Sequence, residues 1–199
     1  MFPNPENIFL TPRNEFLVNY FQNVTKLVNP MDSLAKTVFD NYNLKGYDGL
    51  QTATNIYSFM TEHIAYKMDD VAYWQSPTDT IRRQVGDCED HAILESTFFE
   101  MGGLVNNYFV ITYNVTWREY HIANMVFLPP SKSSSEKYLY LDSSYPHKIG
   151  ALPFYADKAF VYGFFSTRNP HTNPLLTAFP QPFKIFLDNA ALNTFMNFQ

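Results

Sequence analysis

In the first half of the chain, apolar residues recur every three or four positions, and this spacing predicts amphipathic helices. The clearest run carries Tyr20, Val24 and Leu27 on one face and stops before a proline. Turn-forming residues separate the later runs from one another. Helices are therefore predicted over 13–29, 32–42, 50–63, 78–83 and 88–101.

After the Gly-Gly pair at 102–103, the pattern changes to segments rich in β-branched and aromatic residues. The tetrapeptide TWRE separates two of these segments and predicts a β-hairpin, and the polar loop PPSKSSSEK precedes a third segment. Helices followed by an antiparallel sheet predict an α+β fold. Strands are predicted over 108–115, 120–128 and 138–142, with short ones near 159–165 and 183–187.

The chain of 199 residues is predicted to form a single domain, because no repeat or low-complexity linker divides it. Its hydrophobic share of 46% and charged share of 17% are typical of a globular protein. We expect a helical extension over 1–49, a core over 50–146, and an aromatic C-terminal segment over 147–199 that completes the sheet.

Charge and targeting signals narrow the expected partners and location. The net charge of −5, with no basic run interleaved with aromatics, argues against nucleic-acid binding. No stretch approaches the 18 apolar residues of a membrane span, and the first residues lack the pattern of a signal peptide. We therefore expect no membrane partner and a cytoplasmic location.

The only cysteine, Cys88, lies in the motif GDCED at the start of a predicted helix. With Asp87 as N-cap and Asp90 in the capping-box position, the thiol falls in the first turn. There the helix dipole and free N–H groups lower the pKa of a thiol and make it a nucleophile. Asp87, Glu89 and Asp90 raise the pKa, so a histidine or a cation must offset them. An inert, buried cysteine is the alternative interpretation.

A histidine is the usual base for a cysteine nucleophile, and the chain has five. His91, one turn beyond Cys88, would lie beside the thiol rather than face it, and is interpreted as structural or supporting. His63 ends a helix, and His147 and His171 lie in irregular segments. His121 begins a strand, whose edge can place an imidazole against the start of a helix, and it is the predicted base.

Asp142 closes the strand that follows His121 and would orient the imidazole by accepting a hydrogen bond from its other nitrogen. In an antiparallel pair, opposed residues share a face and their numbers have a constant sum. Opposing His121 to Asp142 requires a sum of 263, with the loop centre between Ser131 and Lys132. The polar loop allows this register but does not impose it. A turn-forming role for Asp142 in DSSYP is the alternative.

The run YWQSPTDTIRRQVGDCEDHAILESTFFEMGG resembles the core motif of the transglutaminase-like superfamily. It is especially similar to the bacterial transglutaminase-like cysteine proteinases, whose pattern is W…P…T…GDCEDYA. YHIANMVF and YLYLDSSY look, in order, like the strands that carry the family's histidine and aspartate, and NIYSFMTEHIAY resembles the helix that precedes the core. The likeness covers roughly 50–146. One departure is His91, where the family often has an aromatic residue.

The resemblance implies a papain-like α+β fold in which Cys88 is the nucleophile, His121 the base and Asp142 the orienting acid. The thiolate would attack a carboxamide and form a thioester. The backbone N–H of Cys88 and a second donor would hold the oxyanion. Trp74 and Gln75 are the two candidates for that donor; a packed indole and a solvated amide are the alternative interpretations.

Three functions remain open on the sequence. Hydrolysis of amide bonds in a protein or peptide is expected ahead of protein-glutamine γ-glutamyl transfer, because the chain lacks room for the flanking β-domains of large animal-type transglutaminases. The third function is a catalytically silent binding module, against which the intact Cys, His and Asp set counts. No cofactor is expected to be required. The resemblance nevertheless raises calcium as a ligand, for which these acidic residues could supply oxygens: Asp69, Asp70, Asp87, Glu89 and Asp90.

Overall fold

The computed structural model describes residues 23–68, 73–114, 119–128, 137–145 and 159–166. Most of the predicted helix over 13–29 lies outside these ranges; the described part is helical over 23–25 and ends in a turn. The strand predicted near 183–187 also lies outside them. The division into 1–49, 50–146 and 147–199 stays a prediction.

The described residues contain four complete helices: α1 (Ser33–Asn41), α2 (Gly49–His63), α3 (Pro77–Arg83) and α4 (Cys88–Met101). Their bounds agree with the predicted ones to within one residue at each end. Each helix begins after a side chain that accepts a hydrogen bond from an N–H of its first turn. These N-caps are Asp32, Asp48, Ser76 and Asp87.

Two short strands, β1 (Ala65–Tyr66) and β2 (Val85–Gly86), pair in parallel just before α4. The sequence did not predict these strands, because two residues are too few to show a period. The main sheet is antiparallel and has the order β5-β4-β3-β6, which confirms the predicted hairpin and the α+β class. Its strands are β3 (Asn107–Asn114), β4 (Glu119–Leu128), β5 (Lys137–Leu141) and β6 (Ala159–Ser166).

Helix α4 is the central element, and its residues from Asp90 to Phe99 are all buried. A helix that is covered on all sides must make its polar contacts within the core. A large apolar cluster joins one face of α4 to α1, α2 and the ends of β4 and β5. A second group, here called the smaller cluster, joins α4 to β3 and β4, and Trp74 and Cys88 pack against it. Its buried members are Val24, Ala92, Ile93, Phe109, Ile111 and Ile122.

Within the described residues, no helix combines the length and the apolar character that crossing a bilayer requires.

Candidate active site

The junction between β2 and α4 places Cys88 as the first residue of a buried helix. Asp87 accepts a hydrogen bond from the Asp90 N–H at 3.5 Å, and Asp90 accepts one from the Asp87 N–H at 3.3 Å. This is the predicted capping box, formed with Asp at the position that usually holds Glu or Gln. The box fixes the backbone on both sides of Cys88.

The glycine of GDCED is required by space. A Cβ on Gly86 would lie 2.5 Å from the Cβ of Asp90 and 3.0 Å from its Oδ2. The nearest atom is the Cβ of a buried side chain, so a change of rotamer cannot relieve the clash. Strand β2 therefore approaches α4 closely only because residue 86 has no side chain.

We expect Gly86→Ala to lower the free energy of unfolding by about 1–3 kcal/mol, since overpacking forces the backbone of β2 away from Asp90. Chemical denaturation followed by circular dichroism measures this. Gly103→Asn serves as the comparison for backbone strain without overpacking, because nothing lies within 4 Å of an added Cβ there while its φ of +88° is one that side chains rarely adopt. Equal stability of the wild type and Gly86→Ala would show that the close approach is not real.

The thiol of Cys88 is partly buried and donates a hydrogen bond to Glu89 Oε2 at 3.0 Å. Burial raises the pKa of Cys88 well above its ordinary value, and the charge of Glu89 and this hydrogen bond raise it further. The backbone N–H of Ile122 acts in the opposite direction. Burial is thus the largest cause, and the acidic neighbours act in the direction that the motif predicts.

The carboxyls of Asp87 and Glu89, here called the Asp87–Glu89 pair, flank the sulfur. Burial, followed by the charge of Glu89 and a hydrogen bond to it, raises the pKa of Asp87 to about 8. Burial and the charge of Glu89 therefore favour the neutral form of Asp87. A second negative charge at this place is unfavourable unless a cation accompanies it.

Beside this helix start, His121 on β4 meets Asp142, the residue after β5. His121 Nε2 lies 2.7 Å from Asp142 Oδ2, with the His121 side chain 17% exposed and Asp142 buried. Burial alone would lower the pKa of His121, but the charge of Asp142 and its hydrogen bond raise it overall, and Glu89 adds to the rise. With Asp142 ionised, Nε2 carries the proton and Nδ1 is the nitrogen left to act as a base.

The register that brings His121 to Asp142 differs from the predicted one. Asn124 pairs with Leu141 and Met125 with Tyr140, so the constant sum is 265 rather than 263. The sum remains odd, so both side chains point to the same face, but they are diagonal rather than opposed. A loop centred one residue later accounts for the shift, and the imidazole is long enough to span the diagonal.

The carboxylate of Asp142 is oriented by two hydroxyl groups as well as by His121. Ser144 Oγ donates to Asp142 Oδ1 at 2.7 Å, and Tyr140 OH donates to Oδ2 at 3.4 Å. The Ser144 bond ties the carboxylate into the DSSYP turn, although through a side chain and not through the backbone bond that the alternative interpretation invoked. Turn formation and orientation of the histidine are therefore compatible roles of one residue.

His91 contacts Ser143, which follows Asp142, and the ring of Tyr66. Its Nδ1 is 3.0 Å from Ser143 Oγ, and its ring contacts that of Tyr66 with centroids 6.4 Å apart. Burial lowers the pKa of His91 to about 4, so the ring is neutral at physiological pH. A neutral ring that packs on Tyr66 agrees with the interpretation of His91 as a supporting residue.

A buried polar network next to His91 escaped the sequence analysis. Asn124 Nδ2 donates to Glu95 Oε2 at 2.7 Å and to the Ala92 carbonyl at 3.0 Å, and Ser96 Oγ donates to Asn124 Oδ1 at 3.0 Å. Burial raises the pKa of Glu95 to about 7. In the sequence, these residues appear only as polar positions on the predicted helix that ends at the Gly-Gly pair. Their spacing does not distinguish a buried polar network from a solvent-exposed helix face.

The two oxyanion candidates occupy different environments. Trp74 packs against the smaller cluster, to which Cys88 also belongs at the edge. Gln75 is 1% exposed; its backbone N–H and its side-chain Nε2 donate to the two oxygens of Asp90. The alternative of a solvated Gln75 is therefore wrong, whereas packing of Trp74 is confirmed. Which of the two is an oxyanion donor stays a prediction.

Of the three remaining histidines, only His63 is among the residues that the structure describes. His63 packs its ring between Tyr42 and Phe59, with centroids 4.8 and 4.9 Å away. His147 and His171 lie outside the described residues, as do Asp69 and Asp70.

Comparisons with known proteins concern both family and fold. A family model described as a transglutaminase-like domain matches residues 35–146, more than half of the chain. A solved structure of LapG from Legionella pneumophila is 23% identical and covers 65% of this chain and 75% of that one, with a TM-score of 0.45. The calcium-bound structure of LapG is 20% identical over 89% of this chain and 98% of that one, at a TM-score of 0.48.

An EGTA-treated structure of LapG gives 23% identity, 65% and 73% coverage, and a TM-score of 0.45. At these values the likeness says nothing about activity. A search of curated proteins finds no match.

Proposed function

The chain belongs to the transglutaminase-like domain family, and from this and the site we propose that it is a cysteine-dependent hydrolase of amide bonds in proteins or peptides. The observation that carries the proposal is the 2.7 Å contact between His121 and Asp142, on a strand whose next residue, Ile122, turns its backbone N–H to Cys88. Cys88 is the proposed nucleophile, His121 the base, and Asp142 the residue that orients the base.

In the first half of the proposed reaction, His121 Nδ1 takes the thiol proton, which requires the side chain of Glu89 to turn away from the sulfur. The sulfur attacks the carbonyl carbon of the amide, and the carbonyl oxygen becomes an oxyanion. The Cys88 N–H and a donor from Trp74 or Gln75 stabilise it. The C–N bond then breaks, the amine leaves with the proton from His121, and a thioester remains on Cys88.

In the second half, His121 removes a proton from water, and the resulting hydroxide attacks the thioester. A second oxyanion forms at the same place and collapses with release of a carboxylic acid. The sulfur leaves as thiolate and recovers its proton from His121. Asp142 keeps Nε2 protonated throughout, so that Nδ1 faces the reaction in both halves.

Transfer to an amine is the second candidate, because it shares every step up to the thioester. We expect water to be the acceptor, and mass spectrometry of the products tests this. A glutamine-containing peptide and an unrelated peptide library are incubated with and without a primary amine in H₂¹⁸O. A carboxylate labelled with ¹⁸O supports hydrolysis, whereas an amine adduct that dominates over the acid would replace it by transfer. No Cys88-dependent product from either would favour the silent binding module.

Calcium can be assessed from the donor groups that the site offers. Asp90 already accepts hydrogen bonds from Gln75 and Asp87, so its oxygens are occupied. The Asp87–Glu89 pair remains. The raised pKa of Asp87 indicates that two negative charges are unfavourable at this position. Two carboxyls alone do not make up a calcium site; with further oxygens they would hold the ion, which would supply positive charge beside the thiol. Calcium takes six to eight oxygens, and the described residues contain no group of three or more acidic, His or Cys metal ligands.

We expect the pH midpoint for alkylation of Cys88 to fall when the negative charge of Glu89 is removed, since that charge raises the pKa of the thiol. In EGTA, Glu89→Gln should therefore titrate at lower pH than the wild type. If calcium binds at the pair, calcium shifts the wild type in the same direction and leaves Glu89→Gln unchanged. If the wild-type pH profiles of alkylation are the same in calcium and in EGTA, the expectation that no metal is required is unchanged.

A further inference from the structure

Asp90 makes a set of contacts that reach beyond its place in the capping box. It is fully buried, and its Oδ1 accepts a hydrogen bond from the Gln75 N–H at 2.7 Å. Its Oδ2 accepts one from Gln75 Nε2 at 2.6 Å and one from the Asp87 N–H at 3.3 Å. One carboxylate thus holds the backbone and the side chain of a residue fifteen positions earlier in the chain.

These contacts connect the two sides of the candidate site. Asp90 lies on the same helical turn as Cys88, and Gln75 follows Trp74, whose indole packs against the smaller cluster beside Cys88. The segment that carries both oxyanion candidates is therefore held to the nucleophile's helix by a short, charge-assisted contact. The missing side chain of Gly86 gives the carboxylate its place.

We propose that Asp90 is a positioning residue, which holds the Trp74–Gln75 segment at the distance from Cys88 that oxyanion stabilisation requires. The inference rests on the proposed function, because an oxyanion forms only if Cys88 attacks a carbonyl. Asp90 itself touches no substrate. It acts through Gln75, and a misplaced donor loses most of its effect because the donor must meet the charge as it develops.

The variant Asp90→Ala removes the acceptor, and two measurements on the full chain separate positioning from folding. Alkylation of Cys88 by iodoacetamide forms no oxyanion, whereas cleavage of an amide does. We expect kcat for amide cleavage to fall on the order of 10²-fold in Asp90→Ala, with KM and the alkylation rate within about threefold of the wild type. A parallel loss of alkylation and cleavage would mean a merely structural role and would overturn the inference.

Asp90→Asn is the conservative variant and should restore part of the activity. Its Oδ1 can accept the Gln75 N–H, and its Nδ2 can donate to Gln75 Oε1 once that amide rotates; this oxygen has no partner in the wild type. We expect kcat to recover at least about tenfold over Asp90→Ala. The matched control is Asp79→Ala, the same change in the first turn of α3, where the carboxyl bonds to Ser76. Equal losses in Asp79→Ala and Asp90→Ala would contradict the inference.

A third measurement does not depend on turnover. In a Trp117→Phe background Trp74 is the only tryptophan, and acrylamide quenching of its fluorescence reports how firmly the segment is held. We expect stronger quenching in Asp90→Ala and near wild-type quenching in Asp90→Asn. Unchanged quenching in Asp90→Ala overturns the inference, whether or not the wild type turns over a substrate. Absence of Cys88-dependent turnover in the wild type would refute the proposed function separately. Should Asp90→Ala fail to fold, Gln75→Met replaces it in the quenching measurement, since Gln75 is itself an oxyanion candidate and its kcat would not separate the two roles; unchanged quenching in Gln75→Met overturns the inference.

Discussion

Replacement of Cys88 by alanine is expected to lower amide turnover by at least about 10⁴-fold, the largest effect of any single change in this chain. The sulfur is the only group in the described site that can form the proposed thioester, and loss of a catalytic nucleophile typically has effects of this size. Turnover of a peptide substrate found in the product screen measures it. Since Cys88 is the only cysteine, no other thiol can substitute.

Folding serves as the control for this variant. Cys88 is only partly buried at the edge of the smaller cluster, so the loss of its sulfur should cost about 1 kcal/mol and leave the fold intact. Thermal unfolding and circular dichroism test this directly. Persistent turnover in a folded Cys88→Ala protein would end the proposal of a thiol mechanism.

Asp142→Asn is expected to have the second-largest effect, a fall in kcat on the order of 10³-fold. An amide nitrogen in place of Oδ2 would favour the tautomer in which His121 carries its proton on Nδ1, and that tautomer cannot accept a proton from the thiol. The bond from Ser144 to Oδ1 keeps the side chain in place, so the change is electronic rather than positional. Steady-state kinetics measures the loss.

The same variant makes a prediction about pH. The carboxylate of Asp142 raises the pKa of His121, so its removal should lower that pKa, as NMR titration of the imidazole can show. The matched control is Asp40→Asn, a carboxylate on α1 that is paired with Lys36 at the surface. A His121 pKa that is unchanged or higher in Asp142→Asn would contradict the assigned contact.

The sequence was sufficient for elements that carry long periodic patterns or strong caps. Helix α4 was located to the residue because Asp87 and Asp90 mark its start and the Gly-Gly pair marks its end. The strands that carry His121 and precede Asp142 were also found. Their register could not be fixed, because a nine-residue polar loop allows several pairings of the same parity, and the observed one differs by two in its constant sum.

Contacts between distant polar residues were beyond the sequence. Gln75 and Asp90 are fifteen positions apart in segments with no common pattern, so nothing indicated that one holds the other. The bond from Cys88 to Glu89 depends on a side-chain orientation that no spacing determines. The motif alone indicated that acidic neighbours raise the pKa of the thiol. Burial is the largest cause of the raised pKa, and it could be recognised only from the fold.

The most direct test of the central claim, that Cys88 and His121 act as a pair, is the pH dependence of Cys88 alkylation in the wild type and in His121→Ala. An imidazolium next to a thiolate favours the charged sulfur, so we predict a midpoint about one pH unit higher in His121→Ala, in both calcium and EGTA. The control His63→Ala, a histidine that packs between Tyr42 and Phe59, should match the wild type. Superimposed profiles of the wild type and His121→Ala would contradict the pair.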